Sequence, residues 1–267
     1  MKEGYWVIRT YLSGRVGEKT KFWVQGVRPD RRSRRKERME IKKQIQNEYA
    51  TAKTVARLFN ANYCKGDVLG SLDYSPAALK KLEQYIGSES EQTDRDMQIW
   101  LAADKRFKLV MDSARRECAK RGIELKCVGV TSDMDGDTGE HVRVHHHLVV
   151  NAEAWEIIKE KWKKWGGTNG EPLSDQADYT PVAEYMMRQV RHDIPNKKRY
   201  FSTRNLVRPQ PKDAKARSGA ELSVPRGCEL LFRNAFKPGQ AQYIRYLVPE
   251  EAEGTEKYRR SRGGGRL

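Results

Sequence analysis

Residues 141–150 read His-Val-Arg-Val-His-His-His-Leu-Val-Val, an alternating strand pattern with three consecutive histidines inside it. Successive side chains of a strand point to opposite faces and rise about 3.3 Å per residue, so His145 and His147 share a face roughly 6–7 Å apart. Two imidazoles so placed can close on one metal ion. Val144, His146, Leu148 and Val150 make the opposite face, mostly apolar and suited to a core. The plainer reading is a solvated cluster, but adjacent imidazoles in an apolar run are unfavourable without partners. The stretch predicts a sheet and a candidate metal site upon it.

Working outward, Ile123–Thr131 reads as a strand, and the Asp- and Gly-rich stretch Ser132–Gly139 as the turn of an antiparallel hairpin. Asp67–Tyr74 reads as a further strand. Helical spacing starts near Ile41 and recurs through Ile45, Ala52, Val55, Ala56 and Phe59. It recurs from Asp94 to Lys120, where Ile99, Phe107, Val110, Met111 and Ala114 are candidate core residues and Gly122 is the stop. Trp155, Ile158, Trp162 and Trp165 form a helical stripe ended by Gly166-Gly167. Thr180-Pro181 starts a helix over 181–193, with Val182, Ala183, Met186 and Val190 facing inward and Tyr185, Arg188, Gln189 and His192 on a polar face. The expected class is α+β, an antiparallel sheet with helices packed on it.

Two β-like runs, Tyr5–Leu12 and Thr20–Val27, precede this region, and a hairpin-like pair, Glu229–Phe236 and Gln242–Val248, follows it. Arg- and Gly-rich residues 258–267 close the chain. The expected organisation is an extension at 1–49, a main domain at 50–209 and a C-terminal hairpin and tail at 210–267.

Lys and Arg number 52 against 36 Asp and Glu, a net charge of +16 with a pI near 9.7. Such a balance favours a polyanionic partner. The densest run, Arg31 to Arg38, is either a solvated helical face or a phosphate-contacting arm. No apolar stretch approaches the ~20 residues of a membrane span, and the start, Met-Lys-Glu-Gly-Tyr-Trp, lacks a signal-peptide core. Cys64, Cys118, Cys127 and Cys228 form no CxxC pair. A cytoplasmic protein without membrane partners is expected.

An HxH strand, a later helix presenting a tyrosine and a basic surface together resemble the HUH endonucleases, and among them the replication-associated proteins of filamentous and related phages. The resemblance spans about residues 50–209. Phe59-Asn60-Ala61-Asn62-Tyr63, leading into Asp67–Tyr74, looks like the first motif of that family. His145-His146-His147-Leu148-Val149-Val150 looks like the histidine motif and Glu184-Tyr185-Met186-Met187-Arg188-Gln189 like the tyrosine motif. Ser202-Thr203-Arg204-Asn205-Leu206, followed by Pro209, resembles a Ser-x-Asn-Leu element. The family commonly has Lys where Arg188 stands, and His146 replaces a hydrophobic residue.

The resemblance implies an HUH, RRM-like core and a site-specific single-stranded DNA endonuclease that starts rolling-circle replication of a phage or mobile element. Tyr185 would be the nucleophile and the carrier of a covalent 5′-phosphotyrosine, with Arg188 assisting at the phenolate or phosphate. His145, His147 and Asp133 would hold Mg or Mn. A free tyrosine has a pKa of about 10, so its ionisation at neutral pH costs roughly 4 kcal/mol, which a cation near the phosphate offsets in part. Arg143, Lys197, Lys198, Arg199 and Arg204 are candidate phosphate contacts. The implied partners are single-stranded or hairpin origin DNA and host replication proteins. A plasmid relaxase or single-tyrosine transposase would share the chemistry. In another class, a nucleic-acid-binding module with a structural metal would carry the same residues without cutting.

Overall fold

The computed structural model describes residues 4–24, 41–84, 92–136, 138–191, 198–217, 219, 221–234 and 241–250, with the backbone alone for 41–48 and 92–94. The basic run at 31–38, Lys197 and the tail at 258–267 lie outside the described residues. The chain begins with β1 (Tyr5–Ser13), β2 (Val16–Val24) and α1 (Ile41–Asn62). It continues through β3 (Val68–Asp73), α2 (Pro76–Glu83), α3 (Gln92–Lys120), β4 (Cys127–Met134) and β5 (His141–Val150). Next come α4 (Ala152–Trp162), β6 (Thr168–Pro172), α5 (Thr180–Arg188) and β7 (Phe201–Ser202). The last strands are β8 (Lys212–Ala216), β9 (Glu229–Arg233) and β10 (Gln242–Leu247).

The fold is α+β, with two five-stranded antiparallel sheets in two compact units. Residues 50–207 form one unit, with strand order β6-β3-β5-β4-β7. The histidine strand is its central strand, bonded to β3 and β4. One face of the sheet carries Leu72, Val144, Leu148, Val150 and Cys127, which pack with Phe107 and Met111 of α3 and Trp155, Ile158 and Trp162 of α4. The other carries Val128, Val130 and Val149, covered by Val55, Leu58 and Phe59 of α1 and Ala183, Met186 and Met187 of α5. Apolar residues on both faces explain why β4 reads as a nearly continuous run rather than an alternation.

Element ends depart from the sequence reading for local reasons. Gly122, at φ 72°, stops α3, and Ile123 N then donates to Cys118 O at 2.9 Å. That closing turn delays β4 to Cys127, and the strand runs on to Met134 where a turn is predicted. α5 ends at Arg188, short of the predicted 193. The first hairpin turns on Gly14-Arg15, with Gly14 at φ 58°, so β2 starts at Val16 rather than Thr20.

Residues 1–49 and 208–267 form the other unit, strand order β8-β1-β2-β10-β9. The two ends of the chain, predicted as separate extensions, thus share one sheet. Its core of Leu222, Ile244, Tyr246 and Val248 packs with Ile8, Leu12 and Val224. No described helix is long and apolar enough to cross a membrane.

Candidate active site

Alternation along β5 separates the three histidines as the sequence predicts. His146 is fully buried on the α3 face, stacked on Phe107 with ring centroids 4.6 Å apart. Gly129 leaves the room, since a Cβ there would meet Phe107 Cζ at 2.7 Å. The His146 nitrogens lie 3.0 Å from the Tyr74 hydroxyl and 3.0 Å from Thr131 Oγ1, while Tyr74 also reaches Ala103 O at 3.3 Å. A carbonyl only accepts, so the chain is satisfied when His146 Nε2–H donates to Tyr74, Tyr74 donates to Ala103 and Thr131 donates to Nδ1. Burial first, and then the neighbouring imidazoles, hold His146 well below the usual histidine pKa, so it stays neutral. We expect His146→Ala to lower the unfolding free energy by about 2–4 kcal/mol in urea denaturation, because it opens a cavity and strands two buried hydroxyls.

His145 and His147 face the other way. His145 Nδ1 donates to Arg143 O at 2.9 Å, which leaves its Nε2 lone pair bare. That atom stands 2.9 Å from His147 Nε2. Two Nε2 atoms on one ion at ~2.1 Å each stand roughly 3 Å apart, so the gap suits one shared proton or one cation. Burial, and secondarily His145, push the His147 pKa down to about 4, which keeps it a neutral donor. Contact with the Gln189 carboxamide pushes the other way.

Both depressed values make acid destabilising. Between about pH 6.5 and about 4 the unfolded chain binds protons that the folded His147 does not, so stability is complete above that window and falls as pH drops through it. His146 adds in the same direction. The melting temperature of the protein in chelator should be flat from pH 8 to 7 and decline steeply below 6.5. A flat profile down to pH 5 would contradict buried, neutral histidines.

Tyr185 stands over this pair. It is 37 % exposed on α5, with its ring centroid 6.0 Å from that of His147. The helix is fixed at both ends. Asn60 accepts from Tyr179 N at 2.6 Å, and its amide reaches Asp178 Oδ1 at 3.2 Å and Thr180 Oγ1 at 3.3 Å. The Ser132 hydroxyl on β4 donates to Gln189 O at 2.6 Å. Asn62 brackets Val207 through both its amide and its carbonyl, while Thr203 and Asn205 bond Cys127 N and Leu125 O. The motifs around Asn60 and after Ser202 thus carry side chains that position the helix and the strand.

Asp133 is not brought to the histidine pair. Register places Asp73 and Ser132 across from His145, and Ser71 and Val130 across from His147. Asp133 falls at an irregularity in this pairing, between Ser132 and Met134, and is engaged away from the pair. Its carboxylate pairs with buried Arg191 at 2.7 Å and lies 3.9 Å from His141. Burial raises its pKa and Arg191 opposes the rise. Among the described residues no three His, Cys, Asp or Glu side chains converge as a metal cluster.

Gln189, which sequence reasoning placed on a polar helix face without a role, makes a side-chain hydrogen bond with His147. It is buried, and its Nε2 has no hydrogen-bond partner among the described residues. Its signal was the four-residue spacing from Tyr185, one helical turn that carries both side chains toward the same strand. The two facing Nε2 atoms fit a divalent cation that keeps open positions, with Gln189 orienting the His147 ring.

The remaining candidates scatter. Arg188 is exposed at the last residue of α5, and Arg143 is exposed at the end of the His145–His147 face. Lys198 lies over the Tyr200 ring at 4.6 Å, and Arg199 donates to Arg191 O at 2.9 Å. Arg204 instead lines a cleft of about 580 Å³ with Met111 and Arg115 of α3, on the side of the sheet away from α5. The chain matches no family model, no curated protein and no solved structure.

Proposed function

We propose that residues 50–207 form a metal-dependent nickase and strand transferase for single-stranded DNA, acting at a replication origin to start rolling-circle synthesis. One observation carries the reading: an exposed tyrosine on a helix clamped at both ends stands against two imidazoles whose Nε2 atoms lie 2.9 Å apart. A structural metal site does not need an accessible phenol beside it.

In this reading the Tyr185 oxygen attacks a backbone phosphorus. The tyrosine–phosphorus bond forms, the bond to the 3′ oxygen breaks, and the phenol proton is lost as the leaving 3′ oxygen gains one. The 5′-phosphate stays on the protein, so reversal by a 3′-hydroxyl reseals the strand without a nucleotide cofactor. Mg or Mn held by His145 and His147, with Gln189 orienting His147, would supply charge stabilisation at a non-bridging phosphate oxygen. Arg188, one turn beyond Tyr185, meets the phosphate from the open side. The hydrogen bonds of His146 fix the strand that carries both imidazoles, and those of Asn60 and Ser132 fix the tyrosine helix before substrate arrives.

Covalent capture tests the proposal. Labelled single-stranded and hairpin oligonucleotides are incubated with the protein and Mn or Mg, resolved on a denaturing gel and peptide-mapped. A metal-dependent adduct on Tyr185 is expected. An adduct on Tyr179 or Tyr200 would move the nucleophile and keep the enzyme class. No adduct with any substrate would leave a binding module.

A further inference from the structure

Nearly all of the net positive charge lies outside the unit that carries the histidines. Residues 1–49 and 208–267 contain 27 Lys and Arg against 13 Asp and Glu, whereas residues 50–207 contain 25 against 23. The histidine unit is thus close to neutral, and the unit built from the two chain ends holds +14 of the +16.

That unit also has a distinctive sheet face. Register puts Val7, Phe22 and Lys215 in one row, Arg9, Thr20, Tyr243 and Asp213 in the next, and Glu18, Arg245 and Phe232 in a third. Tyr5 shares the face by alternation from Val7. Each of three rings has a cation against it: Lys215 Nζ is 5.7 Å from the Tyr5 centroid, the Arg9 guanidinium 5.2 Å from Phe22 and that of Arg245 6.0 Å from Phe232. Carboxylates on the face are engaged, Asp213 by a bidentate pair with Arg9 and Glu18 by the Tyr243 hydroxyl at 3.0 Å. The centre is closed over Val7, Glu18 and Tyr243, while Tyr5 and Phe232 stand at the margins, each 44 % exposed.

We propose that this face is a second nucleic-acid site, which takes single strands by stacking unpaired bases on Tyr5 and Phe232 and placing phosphates on Lys215 and Arg245. Exposed rings accept a base only where its face is free, which selects single strands over duplex. A cation lying over one face of a ring can pass to the adjoining phosphate when a base takes that face. Charge complementarity favours a polyanion, and rings paired with cations across several strands favour nucleic acid over a lipid surface, which needs cations alone. The site supplies most of the affinity of the chain for DNA. It stands whether or not Tyr185 cleaves.

The test is fluorescence anisotropy of the full-length protein in chelator, titrated against labelled oligothymidine over a range of salt. Tyr5→Ala with Phe232→Ala should weaken binding at least about tenfold. Lys215→Ala with Arg245→Ala should reduce the slope of log K against log salt by about 1.4, near 0.7 for each lost single-strand contact. Arg143→Ala with Arg188→Ala, in the other unit, should cost less affinity than either pair. The melting temperature is checked for each, and the exposed aromatic pair decides if the Arg245 variant is poorly folded. The proposal is overturned if both flanking pairs bind like the wild type or if the Arg143 and Arg188 pair costs more. It is equally overturned if duplex of the same length binds more tightly. Undiminished binding of oligothymidine by both flanking pairs, with loss on phosphatidylserine vesicles, would assign the face to a membrane.

Discussion

Tyr185→Phe is expected to remove the covalent protein–DNA adduct, with strand cleavage falling at least about a thousandfold, the scale set by deleting a nucleophile elsewhere. The substitution deletes one oxygen from an exposed ring and keeps the ring against His147. Stability should stay within about 0.5 kcal/mol of the wild type, as for other surface changes. DNA affinity and metal binding should also persist, since no ring contact and no ligand is lost. That combination separates a nucleophile from a structural tyrosine. Tyr179→Phe is the matched control: its hydroxyl bonds Ser174 O at 3.0 Å beneath a buried ring, so its loss should lower stability while the adduct survives. A Tyr185→Phe protein that still forms a metal-dependent adduct would move the nucleophile to another residue and keep the enzyme class.

How far the sequence carried depended on the range of each interaction. The strand at 141–150 and the helix after Thr180 were legible because alternation and helical spacing are local. So was the separation of His146 from its two neighbours, which needs only the two-residue period of a strand. The pairing of β2 with β10 was not, because it joins residues more than 200 apart and nothing in either segment names the other. The same limit split the flanking unit into two expected extensions, although strands from both ends share one sheet. Asp133 stands near the end of the preceding strand, where the resemblance expects a carboxylate ligand, but β4 puts Ser132 across from His145 and its pairing is irregular just beyond. The contact of Gln189 with His147 depends on the packing of α5 on the sheet, which no local spacing reports.

The second large effect concerns the histidine pair. His145→Ala and His147→Ala should each remove metal-dependent cleavage to the level of Tyr185→Phe, because a single imidazole leaves too few donors to hold Mg or Mn on a phosphate. Titration with Mn, followed by its paramagnetic resonance, should show the loss directly. Neither change should unfold the protein. His145 is part exposed, and truncation of His147 removes a group whose burial already disfavours its charge. Gln189→Ala should weaken Mn binding by about 10–100-fold, the range for a group that supports a site without dominating it. Asp133→Ala should act differently. It removes the carboxylate that pairs with the buried Arg191 guanidinium and should cost about 3–5 kcal/mol of stability with little change in Mn affinity per folded molecule. The discriminating result is the ordering across positions. If His146→Ala lost Mn binding as fully as its neighbours while keeping its stability, the strand would have to present different faces from those seen. If Asp133→Ala abolished Mn binding in a folded protein, the carboxylate would be a ligand and the Arg191 pair a resting contact that the metal displaces.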